Sequence, residues 1–500
     1  MDDDAAEIIA GAKEVLNISS RGDYTIPAAG LYPHQWLWDS CFIAIGISHY
    51  DIERAQKEIK SLLRGQWHNG MLPNMIFADG EEHYRDRELW RSWLNPNSPD
   101  KVSTSGITQP PMVAEAVVKI GQKMTQPERR SWFKSIYPRL LRYHLWLYNE
   151  RDPRGEGLTL QVHPWETGLD NTPPWMRAFH EHKLPMWVGI LSSNVFQPLV
   201  RMIRRDLRFA RSQERTTVYE TLALYAVLRK LRRKNYDINR IAKRSFFAIE
   251  DLTFNSILIR ANHQLKYIAK TIGKKLPEEL LESMQKTEVA LESLWEAESM
   301  QYYSRNYVTR NLIIEPSIAA LMPLYAGTIS QERAEQLVKL LNDKKSFGAA
   351  FPVPSVPLNS KWFDQYRYWQ GPTWINTNWL IMQGLKRYGF DKEAEHIKQQ
   401  MLEMIKKSGF YEYFSPLDGS PAGSRTLSWS AALMIDLLSR CLAWVFPITS
   451  ALHLVRCRQF LQHPCLFCQA LYRSYYNARP LCLNCSLISA YSRYGPPNVY

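Results

Sequence analysis

Apolar residues return every three or four positions in one segment after another. The pattern runs through IERAQKEIKSLLRGQW, PMVAEAVVKIGQKM, YETLALYAVLRKLRRK, RAEQLVKLLND, NTNWLIMQGLKRYGF and TLSWSAALMIDLLSRCL. A period of 3.6 puts these residues on one face of a helix, and strand-like alternation is scarce and local, so the chain is expected to be all-α. With 500 residues, 45% of them hydrophobic, it can bury a large core as a few ordinary domains or as one large toroid or barrel.

The helices are separated by long connections, among them YTIPAAGLYPHQWLWDS, KVSTSGITQPP, HPWETGLDNTPPW, KWFDQYRYWQGPTW and GFYEYFSPLDGSPAGS. Long loops that recur inside a compact domain are more often functional than idle. These loops share a chemistry: most place large aromatics beside Asp, Glu, Gln or Asn, in a chain with 17 Trp and 26 Tyr. An aromatic face stacks on the C–H face of a sugar ring while amides and carboxylates take its hydroxyls, so a small carbohydrate is the expected ligand.

Sugar chemistry needs carboxyl groups. Glycoside hydrolysis uses one acid to protonate the leaving oxygen and a second carboxylate as base or nucleophile, and desolvation in an aromatic loop can keep the first protonated. Asp39, Glu166, Asp170, Asp364, Glu412 and Asp418 lie in such loops. Acids elsewhere, such as Glu278, Glu279 and Glu332, fit helix starts and helix faces.

Charge and hydropathy narrow the partners. The net charge is +13, but the basic residues are spread and often sit among acids, as in GEEHYRDRELWR. That favours a solvated surface over a nucleic-acid partner. The denser clusters, MIRRDLRFARSQER and LRKLRRKNYDINR, fit the outer faces of helices. No stretch reaches the roughly 18 apolar residues of a membrane span, and the acid-rich start MDDDAAEIIAGAKEVL does not read as a secretory signal, so a soluble, cytoplasmic protein is expected.

Five motifs, YPHQWLWDSCF, TSGITQPP, HPWETGLDN, YRYWQGPTWINTNW and YEYFSPLDGSPAGSRTLSWSAAL, occur in order between about Ala6 and Leu438. Together they resemble the mannosylglycerate and glucosylglycerate hydrolases, similar to glycoside hydrolase family 63. The resemblance implies an (α/α)6 toroid over residues 1–440 and an inverting mechanism that needs no cofactor, acting on a small α-glucoside or α-mannoside. It places the general acid on Asp170 and the general base on Glu412, leaving Glu166 to shape the loop. It implies a sugar site lined by Tyr32, Trp36, Asp39, Gln109, Trp165, Gly168, Tyr368, Trp369 and Trp374. The family's glycerate-binding arginine falls on Arg215, in ERTTVYE, where Thr216 replaces a proline; a surface ion pair is the other reading of Arg215.

Residues 441–500 form a second region. They contain no Asp, Glu or Lys and six of the seven cysteines. Cys465, Cys468, Cys482 and Cys485 are spaced as C-x2-C, thirteen residues, C-x2-C, which fits a structural zinc knot. The composition is unusual for a folded domain, so an unstructured tail stands beside the zinc reading. A non-catalytic toroid that binds carbohydrate, a polyanion or nucleic acid and carries a four-cysteine zinc tail is the alternative to an enzyme.

Overall fold

The computed structural model describes residues 3–242 and 247–439, and the chain through Ser439 forms one compact unit. The cysteine-rich region, with Cys465, Cys468, Cys482 and Cys485, lies outside the described residues.

Two kinds of helix alternate along the chain. Leu37–Ile47, LWDSCFIAIGI, is buried at every position, and Ile375–Arg387 is buried from Ile375 through Leu385. Helices with so little polar face have to be enclosed. Ile52–Arg64 instead buries a stripe that includes Ala55, Ile59, Leu62 and Leu63, and its start is capped by the Asp51 side chain accepting from the Arg54 N–H. Asp391–Ser408 likewise buries Ala394, Ile397, Met401, Met404 and Ile405 and turns most of its charged residues, Lys398 excepted, outward.

The enclosed helices form a closed inner ring. Leu37–Ile47 packs on Val113–Gly121, that helix on Leu252–Ile272, the next contact is with the single turn Pro323–Ala326, and this meets Ile375–Arg387. Trp379 Nε1 then donates to Asp436 Oδ2 at 2.9 Å, joining the helix 428–439. The ring closes where Gly46 lies against the backbone of Ala432; a Cβ at position 46 would overlap the Ala432 carbonyl, so the closure requires glycine. Outside this ring stand Asp3–Ser19, Ile52–Arg64, Gln126–Arg151, Glu278–Leu291, Gln331–Asn342 and Asp391–Ser408. Six inner and six outer helices make the fold an (α/α)6 toroid.

The connections are of two lengths. Those running from an inner to an outer helix are residues 48–51, 122–125, 273–277, 327–330 and 388–390, three to five residues each. Those running back are long: 20–36, 65–112, 152–251, 292–322, 343–374 and 409–427. An alternating ring brings all connections of one kind to the same end, so the long ones meet there. Among the described residues the strands are four two-stranded antiparallel pairs within these connections. Gln35 and Trp36 pair with Ile76 and Met75, and Tyr413 and Phe414 with Ala422 and Pro421. The longest connection, 152–251, has helices and a core of its own, with Trp175, Phe179, Leu224, Leu228 and Ile249 buried together. No helix among the described residues is long and apolar enough to cross a membrane.

Candidate active site

The long connections enclose a cavity of about 810 Å3. Tyr32, Trp36, Asp39, Gln109, Trp165, Gly168, Asp170, Arg215, Tyr368, Trp369 and Glu412 all line it. They come from five different connections and, for Asp39, from the first turn of an inner helix.

The loop bearing Asp170 is built around a buried ion pair. Arg151, at the end of Gln126–Arg151, donates from Nη1 to Glu166 Oε2 at 3.0 Å and from Nη2 to Oε1 at 2.6 Å. The backbone N–H groups of Val162 and Thr108 donate to the same carboxylate, at 2.7 and 3.3 Å. Glu166 therefore holds the loop and does not line the cavity. Two residues on, Gly168 sits at φ +72° with its α-carbon pressed on the Trp38 ring, where a Cβ would overlap the indole. Only glycine takes that backbone without strain and allows that approach.

Asp170 is stitched to the connection that carries Tyr368. The Tyr368 hydroxyl donates to Asp170 Oδ2 at 3.1 Å, the Trp369 N–H to Asn171 Oδ1 at 2.9 Å, and the Gln370 amide to the Asn171 carbonyl at 2.9 Å. Tyr368 adopts φ +42°, a strained conformation for a residue with a side chain. It is held there by Trp374, whose Nε1 donates to the Tyr368 carbonyl at 3.0 Å. Trp374 does not line the cavity, in contrast to the sequence expectation: it stacks behind Trp369, 3.8 Å between centroids and 4° from parallel. The YWQGPTW spacing puts two indoles in register, and only the front one can face a ligand.

Burial pushes the Asp170 carboxyl up to about 6; the negative charge of Glu412 adds to the rise, while the Tyr368 hydroxyl and Arg215 oppose it. Asp39 is raised well above the carboxylate range, first by burial and then by Asp170, Glu412 and Glu58.

Glu412, 1% exposed, lies beside the short pairing of Tyr413–Phe414 with Pro421–Ala422. It accepts from the Tyr32 hydroxyl at 2.7 Å, from the Ser424 N–H at 2.9 Å, and from Arg215 Nη1 on both oxygens, at 3.0 and 3.1 Å. Arg215 is thus buried, which removes the surface ion-pair reading, and it engages a protein carboxylate. Part of the basic cluster MIRRDLRFARSQER turns inward rather than lying on an outer helix face: Arg204 is buried, pairs with Asp206 and donates to the Thr216 carbonyl at 2.7 Å.

Two candidates are not brought to the site. Asp364 is half exposed, 3.5 Å from Arg367 Nε, and Asp418 accepts from the Ser420 N–H at 3.0 Å in an exposed turn. Several lining residues were missed, among them Arg204 and Trp429. Trp429, in the first turn of helix 428–439, lines the cavity; its helical period hid it among core positions. The indole N–H of Trp429, that of Trp36 and the amide oxygen of Gln109 are buried without a partner among the described residues. On a cavity wall, such atoms suit sugar hydroxyls. Among the described residues no group of three or more His, Cys, Asp or Glu side chains is arranged to hold a metal ion.

Comparison with known proteins finds relatives over most of the chain. Residues 32–430 match the model of the mannosylglycerate hydrolase MGH1-like glycoside hydrolase domain. The mannosylglycerate hydrolase of Thermus thermophilus is 38% identical over 429 residues, covering 85% of this chain and 99% of that protein. The glucosylglycerate hydrolase of Mycolicibacterium hassiacum is 28% identical, covering 86% of this chain and 98% of that one. The crystal structure of a GH63 mannosylglycerate hydrolase from Thermus thermophilus in complex with Tris and D-glycerate superposes with a TM-score of 0.78 at 37% identity, covering 86% of this chain and 99% of that one.

Proposed function

The chain belongs to the mannosylglycerate hydrolase MGH1-like glycoside hydrolases, of glycoside hydrolase family 63, and from that premise we propose that it hydrolyses the α-glycosidic bond of a hexosyl glycerate, mannosylglycerate or glucosylglycerate, with inversion. The observation that carries this reading is the contrast between two carboxyl groups on one cavity. Asp170 retains its proton to near neutrality because it is desolvated, whereas Glu412 accepts hydrogen bonds from Arg215, Tyr32 and Ser424.

Those environments divide the labour. Asp170 gives its proton to the glycosidic oxygen as the bond from the anomeric carbon to that oxygen breaks. Glu412 takes a proton from a water whose oxygen bonds to the same carbon from the opposite face, and a β-hexose and free glycerate result. Two carboxyl groups and water suffice, so no cofactor enters the reaction. The glycerate half of the proposal is supported by the D-glycerate held by the Thermus enzyme and by Arg204 and Arg215 on the cavity wall. The polyanion-binding alternative loses support because the relatives matched over most of the chain are glycoside hydrolases.

The test is product release from a panel of α-glucosides and α-mannosides, including both glycosylglycerates, with NMR of the first anomer formed. Preferential turnover of a glycosylglycerate with the β-anomer appearing first is expected. Turnover confined to neutral glycosides removes the glycerate assignment, and a first-formed α-anomer removes inversion.

A further inference from the structure

The sequence suggests Arg215 as a clamp for a ligand carboxylate, yet both of its terminal nitrogens already bond to the protein. Nη1 contacts both oxygens of Glu412, Nη2 donates to the Tyr32 hydroxyl at 2.6 Å, and Nε faces Asp206 Oδ2 at 3.7 Å. With Tyr32 and Ser424 added, Glu412 receives hydrogen bonds from three residues on its two oxygens. A carboxylate offers about four lone-pair sites. Filled in this way, it has no free site for the proton of an attacking water.

We propose that Arg215 is a latch on the catalytic base: an anionic group on the leaving half of the substrate draws the guanidinium off Glu412, and that release is what lets Glu412 take a proton. The proposal rests on the assignment of Glu412 as base. It makes substrate charge a condition for turnover as well as for binding.

The surroundings favour an exchange of this kind. A second carboxylate can replace the first on a guanidinium fork with little change in hydrogen bonding, whereas a neutral hydroxyl cannot. The guanidinium carbon stands 4.3 Å from the centroid of the Tyr368 ring and 5.8 Å from that of Tyr32. Asp206 Oδ2 stands 3.7 Å from Nε, the root of the fork, whereas Glu412 bonds to Nη1 at the tip. A flat aromatic bed and a charge at the root retain the group while its tip changes partner.

The latch has a signature in pH through Asp170. Glu412 and Asp170 are faced by the phenols of Tyr32, Tyr368 and Tyr413, by the acid Asp39, by each other and by Arg215. The phenols are neutral at working pH, because burial raises them all. Arg215 is the cation in this set, and it opposes protonation of Asp170 as well as pairing with Glu412. Moving it onto a ligand anion therefore raises the proton affinity of Asp170. With a substrate that needs the acid, the limb set by Asp170 should shift upward.

The experiment uses the full chain with α-mannosyl fluoride and α-glucosyl fluoride, whose one-atom leaving group leaves room for free D-glycerate and needs little help from the acid. D-glycerate is expected to raise the turnover of at least one fluoride about three- to tenfold; glycerol, the uncharged analogue, should not. In Arg215→Gln the response to D-glycerate should vanish, with the fold verified by circular dichroism and thermal melting. Fluoride turnover that D-glycerate leaves unchanged or lowers overturns the latch alone. Failure to hydrolyse either fluoride overturns the glycosidase assignment and the latch with it.

Discussion

The hydroxyl of Tyr368 donates to Oδ2 of Asp170 across 3.1 Å, from a backbone held at φ +42°. The strain is bounded by Trp374 and Trp369 behind it, and it fixes which oxygen of the acid is left to carry the proton. Because this bond stabilises the ionised carboxylate, its loss must raise the Asp170 value above about 6. In Tyr368→Phe the basic limb of kcat/KM should thus move to higher pH by about one unit, while kcat at the optimum falls about tenfold as the acid loses its orientation. A pH–rate series on both proteins checks the sign; a downward shift would contradict the assignment of Asp170 as acid.

Removing either carboxyl group should stop the chemistry and leave the toroid standing. Asp170→Asn and Glu412→Gln are each expected to lower kcat by about 10²- to 10⁴-fold. Asparagine still accepts from Tyr368 and glutamine still accepts from Tyr32, so circular dichroism spectra should match the parent. Near-normal turnover in either variant excludes that residue from its role. The carboxyl groups should stand about 6.5–9.5 Å apart in a crystal structure, the spacing that admits a water for inversion.

Glu166 is expected to act through stability. Glu166→Gln leaves Arg151 buried without its counter-charge, a change that costs about 3–5 kcal/mol where one member of a buried pair is removed. Urea unfolding should show this loss. Below the unfolding range, both limbs of the pH profile should stay in place, because the pair does not line the cavity.

Ring closure can be probed far from the site. Gly46→Ala puts a methyl against the Ala432 carbonyl and should cost about 1–3 kcal/mol in urea unfolding, as overpacking does. KM should be unaffected. Equal stability would mean that the two inner helices separate at no cost, contrary to the packing described.

The tail should be dispensable for hydrolysis. The residues through Ser439 form one compact unit that holds the described residues lining the cavity, so a chain ending at residue 440 is expected to keep parental kcat and KM. A folded but inactive shortened protein would place part of the site after residue 440. Metal analysis of the full chain addresses the zinc knot: about one zinc per chain, lost on mutating Cys465 and Cys482, supports it, and folded, metal-free protein refutes it.

The setting of Asp170 and Glu412 was legible in part. Asp170 follows a run of Pro, Trp and Gly, and Glu412 sits in YEYFSP; such apolar, turn-forming surroundings set them among six loop acids, from which the family resemblance selected these two. The same signal misdirected attention to Asp364 and Asp418, because composition marks a loop as aromatic without showing which way a side chain points. Trp374 fell behind Trp369 for that reason. Trp429 was hidden by the reverse effect, since the periodicity that marks its helix also labels it as core.

The helical period, the alternation of enclosed and amphipathic helices and the aromatic, acid-bearing connections are properties of short windows, and short-range physics fixes them in the sequence. The partner of Arg215 is of another kind. Arg215 and Glu412 are 197 positions apart, and nothing local to either specifies the other. Their bond exists because Gly46 lets the first inner helix close on the last one, which brings the connections 152–251 and 409–427 to one mouth. Charge pairing over such a separation depends on how the ring closes, and only the tertiary structure determines that.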